Sequence, residues 1–253
     1  MALWFYGILF VALVVAVSVG GMLLIHRYTK LEFLETHNEV AGFIYAVVGV
    51  VYAVLLTFVI SFVWEQHEAA EERVEAEANT LGNLYSDTIA FAPREQVLRS
   101  AIRTYVQAVK EDEWQTMIHG ASSPEAWRAY NRLWLTYINF VPENDKQRLW
   151  YKETISDLND VGNARRLRLL SNHATVPSIL WAAILLGGVV TVTFGYFFGT
   201  KNRSAHILMV VAVSGVIALN LYIVYALDHP FRSLAPVSFD SFNQLEEIFN
   251  RWS

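Results

Sequence analysis

HNEVAGFIYAVVGVVYAVLLTFVISFVWEQHEAAEERVEAEAN, residues 37–79, decides the fold. Residues 40–64 carry no charge, and from Glu65 the chain turns strongly acidic with no glycine or proline at the junction. About 20 apolar residues are enough for a helix to cross a hydrocarbon core of roughly 30 Å. Without a breaker at the change of character, the pattern predicts one helix that leaves the bilayer and continues into water.

Outward from this stretch the same apolar character recurs. The chain has 253 residues, 54% hydrophobic and only 17% charged, which is too apolar for an ordinary soluble domain. Four windows are long enough to span: 2–25, 40–64, about 176–200, and 207–227. They predict transmembrane helices at about 3–25, 41–64, 177–199 and 206–227. The first window lacks a basic n-region and is too long for a cleaved signal, so it is expected to remain as an anchor. Trp4, Tyr6, Tyr28, Trp64, Trp181, Tyr222 and Tyr225 fall near the expected ends, where interfacial aromatics sit.

The predicted architecture is all-α, with four parts. Residues 1–64 form a first transmembrane hairpin and 65–176 a soluble helical insertion whose first helix continues the second span. Residues 177–227 form a second hairpin, and 228–253 a tail with a short amphipathic helix. The insertion carries 17 acidic and 13 Lys/Arg residues. Its apolar residues recur at helical spacing: Val74, Ala78, Leu81 and Tyr85; Leu98, Ile102, Tyr105 and Val109; then Trp127, Tyr130, Trp134, Tyr137 and Val141. A last helix from about Asn144 passes Leu149, Ile155 and Leu158. Gly120, Pro93 and Pro142 punctuate the run, and Ser123-Pro124-Glu125 is a helix start. In the tail, Phe239, Phe242, Leu245, Phe249 and Trp252 make a stripe that is expected to dock on the insertion rather than on lipid.

No enzyme is expected. The chain has no cysteine, and HEAAE (67–71) lacks the second histidine that a zinc-protease helix needs. No phosphate loop or nucleophile motif occurs, no metal or cofactor is implied, and a net charge of −5 gives no footprint for nucleic acid. Glu65, Glu68, Glu72 and Glu75 share one face of the long helix. Projected into the membrane, that face carries Ser61, Thr57 or Phe58, and Val54. In a ring of subunits it would form an acidic vestibule beside a weakly polar pore, and acidic rings attract cations. An ordinary solvated face is the plainer reading. Gly42, Ala46, Gly49 and Ala53 make a small-residue stripe on the same helix, and Gly195 with Gly199 a second pair. Both suit close helix packing, within one subunit or between subunits. Asn220 is expected to bond a neighbouring helix. Asp228 is a candidate ion-pair partner for Arg165, Arg166 or Arg168, although those arginines would also suit lipid headgroups.

HNEVAG (37–42), VWEQ (63–66), EAN (77–79), ARRLRLL (164–170) and LDHPF (227–231) resemble the bacterial bestrophin-like membrane family over nearly the whole chain. The resemblance implies four membrane helices, a large helical cytosolic domain and an oligomeric, anion-conducting channel in a bacterial inner membrane. The chain reads as shorter than a bestrophin. Its glutamate stripe, taken by itself, favours cations. Arg27 and Lys30 flank the first helix, and by the positive-inside rule they lean toward placing the short loops in the cytoplasm and the insertion outside. Two readings follow: a homo-oligomeric ion channel lined by the second span, or a non-conducting sensor or scaffold whose insertion binds a ligand or partner. A motor-stator likeness rests on topology alone.

Overall fold

The computed structural model describes residues 2–29, 34–35 and 38–251; Lys30, His37 and Trp252 lie outside them. The described chain is all-α. Its elements are α1 (Ala2–Tyr28), α2 (Asn38–Asp87) with a 3-10 turn (Thr88–Phe91), and α3 (Glu95–Ala108) with a π turn (Val109–Glu113). They continue with α4 (Trp114–Ile118), α5 (Pro124–Ile138), α6 (Asp145–Ser171), α7 (Ser178–Gly195), α8 (Arg203–Leu227) and α9 (Asp240–Arg251). Four helices, α1, α2, α7 and α8, are long and apolar enough to cross a membrane, and the helical insertion lies between the second and third. The chain is a multi-pass membrane protein. α2 is unbroken for 50 residues through the change from apolar to acidic sequence.

The chain divides into two compact units, Met1–Glu65 with Thr175–Asp228, and Gln66–Ala174 with His229–Ser253. In the membrane unit, α2 buries Tyr52, Leu56, Val59 and Val63 against Ile184, Ile217, Leu221 and Val224. Spacings of 4, 3 and 4 put the four α2 residues on one face. The Tyr52 ring lies over α7 where Gly187 and Gly188 leave room: a Cβ on Gly187 would sit 2.6 Å from the ring. The Tyr52 hydroxyl donates to the Ile184 carbonyl at 3.1 Å. Asn38 ties the hairpins together, its Oδ1 accepting from Gly199 N at 2.9 Å and its Nδ2 donating to Gly199 O at 2.6 Å. Gly199 permits this because any Cβ there would meet the Leu34–Glu35 backbone. Asn220 departs from expectation: its Nδ2 donates to Val216 O, one turn back on its own helix, at 2.8 Å.

In the soluble unit the predicted stripes of α2 and α3 are buried: Val74, Ala78, Leu81 and Tyr85, and Leu98, Ile102, Tyr105 and Val109. The start of α5 follows its sequence signal, with Ser123 Oγ accepting from the amides of Glu125 and Ala126. Its buried face, however, is Ala126, Ala129, Tyr130, Leu133 and Tyr137. Trp127 and Val141 are exposed. Small alanines allow the closer approach beside the two buried tyrosines, and Trp127 stays at the rim. Leu149 of α6 is likewise exposed. Gly120 ends α4 in the left-handed region, at φ 76°. The tail helix α9 docks on the insertion: Phe249 stacks on Tyr85 with centroids 4.1 Å apart, and Phe231, Phe239 and Phe242 ring Trp114.

Candidate functional site

Among the described residues, the face of α2 opposite Tyr52, Leu56 and Val59 is exposed. Val54, Thr57, Phe58 and Ser61 are exposed, as are Glu65, Glu68, Glu72 and Glu75 beyond them. Val54, Thr57, Phe58, Ser61 and Glu65 thus share an open face of α2 in the membrane unit, and Glu68, Glu72 and Glu75 are open in the soluble unit, where Glu75 borders a groove beside α9. Thr57 Oγ1 donates to Ala53 O at 2.8 Å, so its proton is engaged and its lone pairs are what it offers outward. The small-residue stripe is also open. Ala46 and Ala53 are exposed, a Cβ on Gly49 would meet nothing within 4 Å, and one on Gly42 would only touch Phe198 at 3.9 Å. Gly195 and Gly199 differ. They face Tyr45 and the Leu34–Glu35 backbone, inside the membrane unit. Asp228 accepts from the Val176 amide at 2.5 Å and from Trp181 Nε1 at 3.1 Å, so it fastens the entry to α7.

The second locus was not anticipated as a unit. Arg168, fully buried, donates from Nε to Glu77 at 2.6 Å and from Nη2 to Glu113 at 2.6 Å, while Nη1 approaches Met117 Sδ at 2.9 Å. Arg165 Nη2 donates to the other Glu113 oxygen at 2.5 Å, and Tyr105 donates to Glu77 at 2.5 Å. Five elements meet here: α2, α3, the π turn, α4 and α6. The π turn supplies Glu113, and such bulges are frequent where a helix must re-aim a side chain. Burial works to lower the Arg168 pKa, but Glu77 and Glu113 outweigh it and hold the guanidinium charged. Burial, reinforced by Glu77, pushes the Tyr105 phenol well up, so it remains a donor. Arg166, one residue from the network, is exposed.

The sequence held a signal for this network. Glu77 falls within the buried stripe of Val74, Ala78 and Leu81, and Arg165 and Arg168 continue Leu158 and Val161 at spacings 3, 4 and 3. Ionic groups on a core face must meet partners. A third cluster lies near the far end of α2. Burial, then Asp87, Glu153 and Asp160, raise the Asp157 carboxyl to about 6, and burial with Glu153 raises Asp87.

A four-span helical membrane fold with this insertion defines a class, and comparison with known proteins identifies the family. The Bestrophin-like domain matches residues 12–242, and the chain belongs to the Bestrophin-like family. Among solved structures, a membrane protein carrying a proline-to-alanine substitution superposes with a TM-score of 0.71 at 13% identity, covering 95% of this chain and 97% of that one. A bacterial bestrophin homologue from Klebsiella pneumoniae with a leucine-to-threonine substitution gives 0.68 at 14% identity, covering 97% and 98%. A form with isoleucine changed to threonine gives 0.67 at 16%, covering 96% and 99%. At these identities the likeness is one of fold. The superposition with each of the two Klebsiella pneumoniae structures runs almost end to end over both chains. No curated protein matches by sequence.

Proposed function

We propose that the chain forms a homo-oligomeric ion channel in the bacterial inner membrane, with α2 toward a central pore. The observation that carries this reading is the exposed α2 face from Val54 through Ser61 to Glu65, with Glu68, Glu72 and Glu75 open beyond it in the single chain. A membrane helix with a weakly polar stripe and an open small-residue stripe is suited to neighbours on one side and water on the other. Val54, Thr57, Phe58 and Ser61 line the narrow part, and Glu65, Glu68, Glu72 and Glu75 the vestibule. Four carboxylates per subunit, together with a Thr57 oxygen that presents lone pairs, favour cations over anions.

Flux from proteoliposomes under separate potassium and chloride gradients tests it. Potassium flux that falls at least tenfold in Thr57→Trp and Ser61→Trp is the expected result. Chloride flux insensitive to Glu65→Gln and Glu68→Gln would remove the carboxylates from the permeation path. Absence of either flux from an intact, gate-independent oligomer would favour a non-conducting sensor. The buried Glu77–Arg168–Glu113 network supports that second reading, since it ties α2 to α6 and to the π turn of the insertion.

A further inference from the structure

A cavity of about 400 Å³ opens in the insertion beside α5 and α6, with Ser122, Trp127, Tyr130, Arg165, Arg166 and Asn172 on its walls. Two of these side chains are buried and incompletely paired. Arg165 is 4% exposed, and its Nε–H finds no acceptor among the described residues although Nη2 is engaged by Glu113. Asn172 is 2% exposed, and its Oδ1 has no donor among the described residues. Buried polar atoms left open in this way are costly, and their pairing by an occupant would recover that cost.

The wall has a definite chemistry. The Arg165 guanidinium lies over Trp127 at 5.2 Å and Tyr130 at 5.6 Å, so aromatic surface and positive charge are presented together. Gly162 makes the arrangement possible, because a Cβ there would collide with the Tyr130 hydroxyl. Arg166 is exposed and forms no ion pair among the described residues. Three arginines, 165, 166 and 168, stand against the two carboxylates of Glu77 and Glu113, which leaves one positive charge in surplus. Leu169 and Leu170 add apolar surface.

We propose that this cavity binds an amphipathic anion with a hydroxyl close to its charge. The anionic head faces Arg165 and Arg166, the hydroxyl donates to Asn172, and the apolar body lies along Trp127 and Leu169. A free hydroxy acid and an anionic lipid headgroup with glycerol hydroxyls share this chemistry. The assignment is independent of whether α2 conducts, and it places a ligand beside Arg165, which pairs with Glu113.

The test is calorimetric titration of phenyllactate, with phenyllactamide as the neutral control, into the full chain in phosphatidylcholine nanodiscs. Phenyllactate is expected to bind and the amide not to. Arg166→Gln should weaken binding at least tenfold, Arg166→Lys should restore most of it, and Ser122→Trp should abolish it by filling the mouth. Arg165 is left intact, because its removal strands Glu113. Melting curves matching the unmodified chain establish that the variants are folded. Repeating the titration with phosphatidylglycerol in the discs separates the sources: loss of phenyllactate binding assigns the site to the lipid headgroup, and unchanged binding assigns it to a free acid. Equal binding of acid and amide, wild-type binding by folded Arg166→Gln and Ser122→Trp, or no binding in phosphatidylcholine overturns the proposal.

Discussion

Arg168 is the largest fully buried side chain among the described residues, and it is charged. Taking a guanidinium out of water is expensive, and Glu77 and Glu113 together make its position tolerable. Replacing one member of such a network leaves the others buried and unpaired. Arg168→Met should therefore destabilise the insertion by about 3–5 kcal/mol, read as an earlier unfolding midpoint in detergent. Asp157 predicts a pH effect of known sign. Its carboxyl is raised to about 6, so the folded chain holds a proton that the unfolded chain has released between roughly pH 4 and 6. Stability from this group is full below pH 4 and is lost as pH rises through 6. Asp157→Asn should melt higher than the unmodified chain at pH 7.5 and together with it at pH 4; a higher melting point at pH 4 alone would reverse the sign. Asp157 is partly exposed, so the shift is expected to be a few degrees at most.

Helical elements were legible because their signals are local. The runs of apolar residues, the Ser123-Pro124-Glu125 start and the stripe of Val74, Ala78, Leu81 and Tyr85 each need only a few neighbours to read. What the sequence did not yield depends on residues far apart. Glu77 and Arg168 are 91 positions apart, and Asn38 and Gly199 are 161 apart. The α5 stripe was right at Tyr130 and Tyr137 and wrong at its two ends, where Trp127 lines a cavity and Val141 is exposed, while Ala126 and Ala129 complete the buried face. Tyr52 lies within an apolar run with no local signal of its own, and the glycines of α7 give it a place. The Asn38 clamp makes a prediction at this scale. Asn38→Ala removes two hydrogen bonds and leaves the Gly199 amide and carbonyl to find others, at a cost of about 1–3 kcal/mol. Gly199→Ala should cost more, because a Cβ would overlap backbone that cannot swing aside. Thermal melting of the two variants side by side checks the order.

For the whole molecule, the open α2 surface separates folding from assembly. Gly49 has nothing within 4 Å of where a Cβ would sit, so Gly49→Trp should fold as well as the unmodified chain. If the chain assembles as proposed and subunits meet along Gly42, Ala46, Gly49 and Ala53, the same substitution should convert the assembly to smaller species in native mass spectrometry. An unchanged assembly would place the contact elsewhere and free that stripe to face lipid. The two compact units give the experiment a control, since insertion-unit variants such as Asp157→Asn should leave subunit number untouched.

Because α2 has no joint between its apolar and acidic halves, the angular phase between them is fixed by residue count alone. Each residue advances an α-helix by about 100°, so one extra residue after Trp64 would turn Glu65, Glu68, Glu72 and Glu75 roughly 100° away from the Thr57 and Ser61 row. Seven extra residues would restore the row to within about 20° while lengthening the rod by roughly 10 Å. If the proposed pore needs both rows on one side, relatives that differ in length here are expected to do so in steps of seven, with shorter changes compensated by a π bulge or not tolerated.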